Sequence, residues 1–460
     1  MKLVSNAEVS ASIDLLSAWI ESQMAYKGLP GLSMGIVYDQ ELIWARGFGF
    51  ANVQDKIPST PQTIYRIASI TKTFTATAIL QLRDVGKLQL DDPVTRHLPW
   101  FKVQNPFPDA PVITIQHLIT HTSGLPREAG VAYWNSNEFP EMEEVKRLLP
   151  RQKLAVPPES RWKYSNLAVS LAGEIVAAVS GQPYPDYVQE HILDPLGMQS
   201  TYVSTIDPGH PLLATPYDRR MPDLSRALAP FTDVRGLTPA GNMATTVEDL
   251  ARFAMLQFRS GLAGGEQILS GNTLREMQRI HWLQPDWQAG WGWGFRIERL
   301  SGKTIVGHGG AVRGYRTRLA FCPEDKVAVI TLINADDGDS QKYSDRALEW
   351  VSPAITKAVK PAEKLKPDPE WQRYLGKYRN SWGDSQVLLH RGDLVVIEPN
   401  AEDPLDGFGR LMPLGEHTFR LETDSGFSSP GEQVRFELDG NGQAHTMIVG
   451  EEQSWRIENW

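Results

Sequence analysis

The chain has 460 residues, of which 41% are hydrophobic and 22% charged, so it is long enough for two or three globular domains. Disorder and a miniature fold that depends on disulfides are excluded. The 46 Lys and Arg residues and 55 Asp and Glu residues give a net charge of −9, which leaves no cationic surplus for a nucleic-acid partner.

Apolar periodicity predicts the first elements. Apolar residues from Ile13 to Met24 recur on one helical face, and Gly28 ends that helix. Two strands joined as a hairpin follow, over 32–38 and 42–50. Further helices are predicted over 70–83, after Thr114, over 167–179 and over 247–258, the last with a capping box of Thr245 and Glu248.

Strand-like runs return near the end of this region, around Val306 and over 319–321 and 327–333. Strands therefore lie at both ends of the region, and helices fill its middle. The pattern predicts an α/β (α+β) fold, in which one antiparallel sheet takes its strands from both ends and a helical cluster lies beside it.

Composition changes near residue 360. Residues 361–370 contain three prolines and predict a linker between a first domain, 1–360, and a second, 371–460. Short strand-like runs follow at 387–389, 394–397, 418–421, 434–438, 446–449 and 455–457. Their spacing predicts a small all-β sandwich or barrel.

The single cysteine, Cys322, excludes an intrachain disulfide and a cysteine zinc site, and its apolar surroundings predict a small buried side chain. No cofactor and no catalytic metal are expected, because the ten histidines include no His-Glu-x-x-His motif. No window of 18 apolar residues predicts a membrane span. The first ten residues lack the apolar segment of a signal peptide, so we expect a cytoplasmic protein, although a trimmed periplasmic or secreted chain would look the same.

Three serine motifs compete for the role of nucleophile. A Gly-x-Ser-x-Gly motif surrounds Ser33, but a strand rather than a helix follows it, which is the wrong context for a nucleophile elbow. Ser69 and Ser160 each begin a Ser-x-x-Lys motif. Ser160 follows two prolines, where the chain is expected to be extended. Ser69 leads a predicted helix, which places Lys72 beside it on one face.

The pairing of Ser69 with Lys72 suits nucleophilic chemistry. A serine hydroxyl is a poor nucleophile until a base removes its proton, and a nearby ammonium and a helix N-terminus both favour that loss. Spacing alone leaves an ordinary exposed serine and lysine on a helix as the alternative.

Further motifs occur in a characteristic order. After Ser69–Lys72 come His121–Pro126, Trp162–Asn166, Asp194–Met198 and Val306–Gly310. The ordered set resembles the serine β-lactamase and penicillin-binding-protein superfamily. It is most similar to the class C-like branch, which contains D-aminopeptidases, DD-peptidases, class C β-lactamases and β-lactamase-like esterases. The resemblance covers about residues 15–355 and implies a five-stranded antiparallel core sheet with helices on both faces, a helical subdomain, and a site between them.

The resemblance also implies roles for individual residues. Ser69 corresponds to the acylated nucleophile and Lys72 to its proton partner. Tyr164 corresponds to the phenol that acts as general base and acid, and we expect Lys72 to lower its pKa. Asn166 corresponds to the amide that orients the substrate and the lysine. The backbone N–H groups of Ser69 and Ala311 correspond to the oxyanion hole.

The motif His308, Gly309 and Gly310 corresponds to the triad on the edge strand that flanks the cleft. Class C β-lactamases have Lys-Thr-Gly here, so the lysine charge that helps seat a β-lactam carboxylate is missing. Arg313 and Arg316 could replace that charge, but surface solvation is the expected role. The aromatic run that begins at Trp291 could line an acyl pocket, but a packed strand is expected.

The implied function is a serine hydrolase that acts through an acyl-enzyme on ester or amide substrates, including peptides and D-amino-acid derivatives. A β-lactamase, or a penicillin-binding sensor with little turnover, is the alternative. The expected partner is a small molecule or short peptide, and the sequence does not decide between a monomer and a homo-oligomer. Residues 371–378 resemble the start of lipocalin-like barrel domains, which trim the cleft or aid assembly in some of these peptidases; a domain that only stabilises the chain is the alternative.

Overall fold

The computed structural model describes residues 3–130, 134, 137–260, 265–359, 367–401, 408–426 and 428–458. The chain divides into two units, Met1–Ala358 and Val359–Trp460. Residues 361–366 of the predicted linker lie outside the described residues, and Pro369–Tyr374 forms a 3₁₀ helix. Within the described ranges, no helix combines the length and apolarity needed to cross a bilayer.

The first unit contains a long antiparallel sheet and a two-stranded ribbon. The strands are β1 (Gly31–Tyr38), β2 (Glu41–Asn52), β3 (Ile57–Pro58), β4 (Tyr65–Arg66), β5 (Ala244–Thr245), β6 (Trp282–Leu283), β7 (Ala289–Trp291), β8 (Arg296–Leu300), β9 (Lys303–Val312), β10 (Tyr315–Cys322) and β11 (Val327–Ile333). The sheet has the order β3-β2-β1-β11-β10-β9-β8-β7-β6, and β4 pairs with β5. The long strands at its centre come from both ends of the region, as the sequence predicts.

Helices cover both faces of this sheet. They are α1 (Ala7–Lys27), α2 (Thr71–Asp84), α3 (Val94–His97), α4 (Ile115–Ile119), α5 (Met142–Leu148), α6 (Asn166–Ser180), α7 (Tyr184–Val188), α8 (Asp194–Leu196), α9 (Thr238–Gly241), α10 (Val247–Leu256), α11 (Gly271–Met277) and α12 (Ser340–Val359). Side chains of β11 alternate between two cores: Val329 packs with α1 and α12, whereas Ile330 packs with α2, α6 and α10. Because both faces are covered, β1 and β11 read as continuous apolar runs.

The start of α10 differs from the prediction. The side chain of Thr246 accepts a hydrogen bond from the backbone N–H of Asp249, so the helix is capped by Thr246. The predicted capping box of Thr245 and Glu248 is therefore wrong by one residue. The physical reason is that Thr245 belongs to β5, where its hydroxyl lies 2.6 Å from that of Thr201.

The second unit is a closed antiparallel barrel, which decides between the predicted sandwich and barrel. Its strands are β12 (Gly376–Arg379), β13 (Asp384–His390), β14 (Asp393–Ile397), β15 (Gly409–Gly415), β16 (Thr418–Glu422), β17 (Gln433–Leu438), β18 (Ala444–Val449) and β19 (Glu452–Ile457). The prediction missed β12, which has only four residues, and β15, where Pro413 interrupts the strand pattern. Side chains such as Tyr378, Leu394 and Phe436 fill the interior.

Strand β9 passes very close to the chain that leads into α2. A Cβ atom added at Gly310 would lie 2.1 Å from the carbonyl oxygen of Ile67 and 2.2 Å from Oγ1 of Thr317. Thr317 itself donates a hydrogen bond to that carbonyl at 3.1 Å. At Gly309, an added Cβ would meet the carbonyl oxygen of Thr317 at 3.7 Å, an ordinary contact. The approach of the two segments therefore requires glycine at 310 and tolerates alanine at 309.

We expect Gly310→Ala to lower the free energy of unfolding by about 1–3 kcal/mol, because backbone atoms must move to admit the methyl group. The matched variant Gly309→Ala is expected to change it by less than about 1 kcal/mol. Chemical denaturation of both variants measures the difference. Equal losses in the two variants would show that the contact at Gly310 does not control this packing.

Candidate active site

Ser69 lies in a tight turn that leads into α2. Ala68–Ile70 forms a 3₁₀ turn, and the α-helix itself begins at Thr71, so Ser69 precedes the helix rather than opening it directly. Ala68 has a φ of 46°, in the left-handed region that residues other than glycine rarely adopt. Such strain is typical of functional sites, where the surrounding structure holds one residue in a costly conformation.

Lys72 lies one helical turn beyond Ser69 and is almost completely buried, with 2% of its surface exposed. Its Nζ donates hydrogen bonds to Oγ of Ser69 at 3.1 Å, to Oδ1 of Asn166 at 2.8 Å and to the carbonyl oxygen of Ala240 at 2.6 Å. Three acceptors from three different segments hold the amine in one place. The structure thus brings together the predicted pair Ser69 and Lys72, as well as Asn166.

Tyr164 completes the cluster around the serine hydroxyl. Its OH donates a hydrogen bond to Oγ of Ser69 at 2.8 Å, and Nζ of Lys72 lies 4.9 Å from the centroid of its ring. The ring of His121 lies against it, with 4.3 Å between ring centroids. Nδ1 of His121 accepts a hydrogen bond from the backbone N–H of Ser165 at 3.2 Å. His121 therefore helps to hold Tyr164, a role that sequence analysis did not assign.

Burial controls the protonation of this cluster. It lowers the pKa of Lys72 to about 7, an effect that the Glu128 carboxylate opposes and the Arg127 guanidinium reinforces. Burial raises the pKa of Tyr164 above its usual value. The expectation that Lys72 lowers the pKa of Tyr164 is therefore wrong, because loss of solvent around the phenol dominates. At neutral pH, Lys72 is the better proton acceptor, and Tyr164 keeps its proton.

The predicted edge-strand motif lies on β9, beside the nucleophile. Strand β8 pairs with β9 only from Lys303 to Gly307, so beyond Gly307 this edge of β9 has no strand partner among the residues that the structure describes. Ala311 and Val312, on this free stretch, line a cavity of about 190 Å³ together with Ser69. Further residues of its wall are Arg127, Asn166 and Leu237.

No free cation takes the place of the missing lysine at His308 within the described part of β9 and β10. Burial, reinforced by the charge of Lys72, lowers the pKa of His308 to about 3, so this imidazole is neutral near pH 7. Arg313 forms a bidentate ion pair with Asp218, at 3.0 and 3.1 Å. Arg316 donates to Asp336 at 2.9 Å.

The competing serines make other contacts. Ser33 is fully buried in β1 and donates to the carbonyl oxygen of Thr60 at 2.8 Å. Ser160 lies in an exposed turn, not the extended segment expected from the prolines, and donates to the carbonyl of Pro157 at 2.7 Å. The lysine of its motif, Lys163, donates to a different group, the carbonyl oxygen of Leu125.

Two predicted buried groups lie as expected. Trp291 is 6% exposed and stacks on Trp162 with 4.7 Å between ring centroids, and it is absent from the wall of the cavity at Ser69. The run that it begins is buried as expected at Trp291 and Phe295 but is not a strand, because β7 ends at Trp291 and residues 292–295 connect it to β8. Cys322 is 1% exposed. In the ranges that the structure describes, no group of three or more His, Cys, Asp or Glu side chains could hold a metal ion.

Sequence reasoning missed Arg127 and Glu128, which directly follow the motif ending at Pro126. Oε1 of Glu128 accepts a hydrogen bond from Nδ2 of Asn166 at 2.6 Å. The guanidinium of Arg127 lies over the ring of Tyr164, 5.1 Å from its centroid. No spacing rule signals these contacts, because they join residues about 40 positions apart in the chain.

Comparison with known proteins identifies the family of this chain. The family model described as Beta-lactamase matches residues 16–351. The chain belongs to the β-lactamase family. The predicted resemblance and fold class are thereby confirmed, and family membership supports a hydrolase.

Two curated relatives of this β-lactamase family member span most of its length. It is 27% identical to Beta-lactamase-like protein 2 of Dictyostelium discoideum, over 92% of this chain and 80% of that protein. It is 26% identical to Penicillin-binding protein 4* of Bacillus subtilis (strain 168), over 90% of this chain and 91% of that protein.

Solved structures show the same architecture. The octameric penicillin-binding protein homologue from Pyrococcus abyssi superposes with a TM-score of 0.66 and 26% identity, covering 96% of this chain and 99% of that one. D-amino acid amidase from Ochrobactrum anthropi SV3 superposes with a TM-score of 0.62 and 25% identity, covering 75% of this chain and 99% of that one.

The pKa of Lys72 predicts how the reactivity of Ser69 depends on pH. Because this pKa is lowered to about 7, the neutral amine that can accept the serine proton accumulates above that pH. We expect the rate of Ser69 phosphonylation by a fluorophosphonate probe to rise through about pH 7 and to lose this rise in Lys72→Met. A rise centred near the ordinary lysine or tyrosine pKa would contradict the assignment of Lys72 as the proton acceptor.

Proposed function

We propose that this chain is a serine hydrolase that cleaves ester or amide bonds through an acyl-enzyme on Ser69. One observation carries the proposal. The Ser69 hydroxyl lies within hydrogen-bond distance of both Nζ of Lys72 and the OH of Tyr164, and burial holds the pKa of Lys72 at about 7. A base and a proton donor therefore both contact the nucleophilic oxygen of Ser69. Membership of the β-lactamase family supports the same class of reaction.

Acylation follows from these contacts. Neutral Lys72 takes the Ser69 proton as Oγ attacks the substrate carbonyl carbon, and the carbonyl electron pair moves onto its oxygen. We assign the backbone N–H groups of Ser69 and Ala311 to stabilise that oxyanion, on the basis that both residues line the cavity. Tyr164 then donates its phenol proton to the leaving oxygen or nitrogen as the bond breaks, and the Lys72 ammonium returns a proton to Tyr164.

Deacylation uses Lys72 a second time. Lys72, neutral again, takes a proton from a water molecule as the water oxygen attacks the acyl carbon. The ester bond to Oγ of Ser69 breaks, and that oxygen receives the proton from Lys72. The carboxylic acid leaves, and the side chains return to their starting protonation states. Asn166 orients the amine throughout, through its hydrogen bond from Nζ of Lys72.

The charges beside the cleft favour esters and amides over β-lactams. His308 is neutral near pH 7, while Arg313 and Arg316 are engaged by carboxylates of the protein. The charge that would seat a β-lactam carboxylate is therefore weak at this strand, and for that reason the β-lactamase or sensor alternative ranks second. The D-amino acid amidase neighbour supports including amides of D-amino acids among the substrates. The octameric neighbour supports homo-oligomeric assembly.

The proposal is tested by Ser69→Ala with p-nitrophenyl acetate as the substrate. We expect turnover to fall to the background rate, because no acyl-enzyme forms. Ser160→Ala is the matched control, since Ser160 belongs to the same type of motif but lies in an exposed turn, and we expect it to retain wild-type turnover. Mass spectrometry of the fluorophosphonate adduct should place the label on Ser69. A labelled Ser33 or Ser160, or an active Ser69→Ala, would overturn the proposal.

A second prediction concerns Tyr164 as proton donor. Tyr164→Phe keeps the ring against His121 and removes only the hydroxyl. An anilide needs its leaving nitrogen protonated, whereas p-nitrophenolate leaves without a proton. We therefore expect kcat to fall on the order of 10²–10⁴-fold for a D-amino acid anilide and much less for the p-nitrophenyl ester. Equal losses on both substrates would contradict the donor role and indicate that the phenol acts on Ser69 alone.

A further inference from the structure

The side-chain amide of Asn166 lies between the amine of Lys72 and the carboxylate of Glu128. Its Oδ1 accepts from Nζ of Lys72 at 2.8 Å, and its Nδ2 donates to Oε1 of Glu128 at 2.6 Å. Asn166 is 5% exposed, at the start of α6, where the hydroxyl of Ser165 accepts the N–H of Ala168 and caps the helix. The backbone beneath the amide is therefore fixed, while the amide itself has two nearly isosteric orientations.

Hydrogen-bond chemistry selects one of these orientations. An amide has a donor end and an acceptor end, an ionised carboxylate can only accept, and the N–H groups of Lys72 donate in both its charged and its neutral form. With Glu128 in place, the NH₂ group of Asn166 must face the carboxylate, and its oxygen must face Lys72. Without that acceptor, a flipped amide would present its NH₂ group to the lysine and weaken the contact that holds Nζ beside Ser69.

We infer that Glu128 is a positioning residue, which holds the amide oxygen of Asn166 toward Lys72 and thereby keeps the lysine amine in reach of Ser69. The inference rests on the proposed function, because its consequence is measured as turnover by Ser69. Glu128 need not touch the substrate for this role. It acts through Asn166, over a chain of hydrogen bonds that runs from Glu128 to Asn166, to Lys72 and to Ser69.

The surroundings of Glu128 suit a fixed carboxylate. Only 15% of its side chain is exposed, Nε1 of Trp134 donates to its Oε1 at 2.8 Å, and Nε of Arg127 lies 3.4 Å from the same oxygen. These donors hold the carboxylate while Asn166 donates to it. The charge of Glu128 also raises the pKa of Lys72, and that of Arg127 lowers it.

Other titratable groups face the Lys72 amine as well. The pKa values of His121 and His308 are both lowered by burial, with the charge of Lys72 as the next cause, so these rings are neutral near pH 7. The pKa of Tyr164 is raised by burial, so its phenol is also neutral. The charges whose removal should move the titration of Lys72 are therefore those of Glu128 and Arg127.

The test measures kcat, KM and the pH profile with p-nitrophenyl acetate, which has neither an amine nor a carboxylate. For Glu128→Ala we expect kcat to fall by about tenfold or more, with KM within about twofold of wild type. Glu128→Gln keeps a side-chain oxygen that can accept from Asn166, so we expect it to recover most of the lost kcat. Glu143→Gln, an exposed carboxylate on α5 that pairs with Lys146, is the matched control and should match wild type.

The pH profiles add a readout that a merely structural role would not move. The rising limb should shift to lower pH in Glu128→Gln, because removal of the negative charge lowers the pKa of Lys72. It should shift to higher pH in Arg127→Gln, because removal of the positive charge raises that pKa. These two variants keep the inference testable if Glu128→Ala does not fold. Glu128→Ala combined with Asn166→Ala should also be little slower than Asn166→Ala alone.

Several results would overturn the inference. One is a wild-type kcat in Glu128→Ala together with pH profiles of Glu128→Gln and Arg127→Gln in which the rising limb does not shift. Another is a KM increase confined to amine-bearing substrates, which would make Glu128 a substrate ligand instead. If Ser69→Ala abolishes turnover while the Glu128 variants behave as wild type, only this inference fails. If Ser69→Ala keeps its turnover, the proposed function fails, and the inference fails with it.

Discussion

The site depends on one buried amine. Moving the pKa of Lys72 from 10.5 to about 7 corresponds to a cost on the order of 5 kcal/mol for keeping this side chain protonated inside the fold. That cost is fully present below about pH 7, where the amine is charged in both the folded and the unfolded chain. It decreases between about pH 7 and 10.5, because the folded chain has then released the proton and this release costs less as the pH rises, and it ends above 10.5, where the unfolded chain has lost the proton too. The remaining structure must therefore supply the free energy that keeps Lys72 in place.

Elements far apart in the chain converge on that amine. Helix α2 carries Lys72, helix α6 contributes the amide of Asn166, and helix α9 contributes the carbonyl oxygen of Ala240. Strand β9 approaches from the sheet, and its close packing at Gly310 places it against the turn that carries Ser69. The nine-stranded sheet and the helical core act as a rigid frame, in which a strained turn at Ala68 can persist.

Burial makes the chemistry of the cluster asymmetric. Tyr164, His121 and His308 all lie where ionisation is unfavourable, so each stays neutral near pH 7 and serves as a donor or packing group. Lys72 is different because its neutral form is the one that burial favours, and that form is a base. A site of this kind needs neither a metal ion nor a charged imidazole in the mechanism proposed above.

The sequence by itself determined the family, the antiparallel sheet with strands from both ends of the region, the barrel-like second part, and the grouping of Ser69, Lys72 and Tyr164, because these depend on local periodicity and on ordered motifs. The catalytic roles remain predictions until they are measured, and so does the lipocalin-like assignment of the barrel. Only the tertiary structure decided that Thr246 caps α10, that Pro413 lies within a strand, that burial lowers the pKa of Lys72 and raises that of Tyr164, and that Glu128 contacts Asn166. Each of these depends on burial or on contacts between distant segments, and residue order alone does not encode how much solvent a side chain loses or which neighbour it meets.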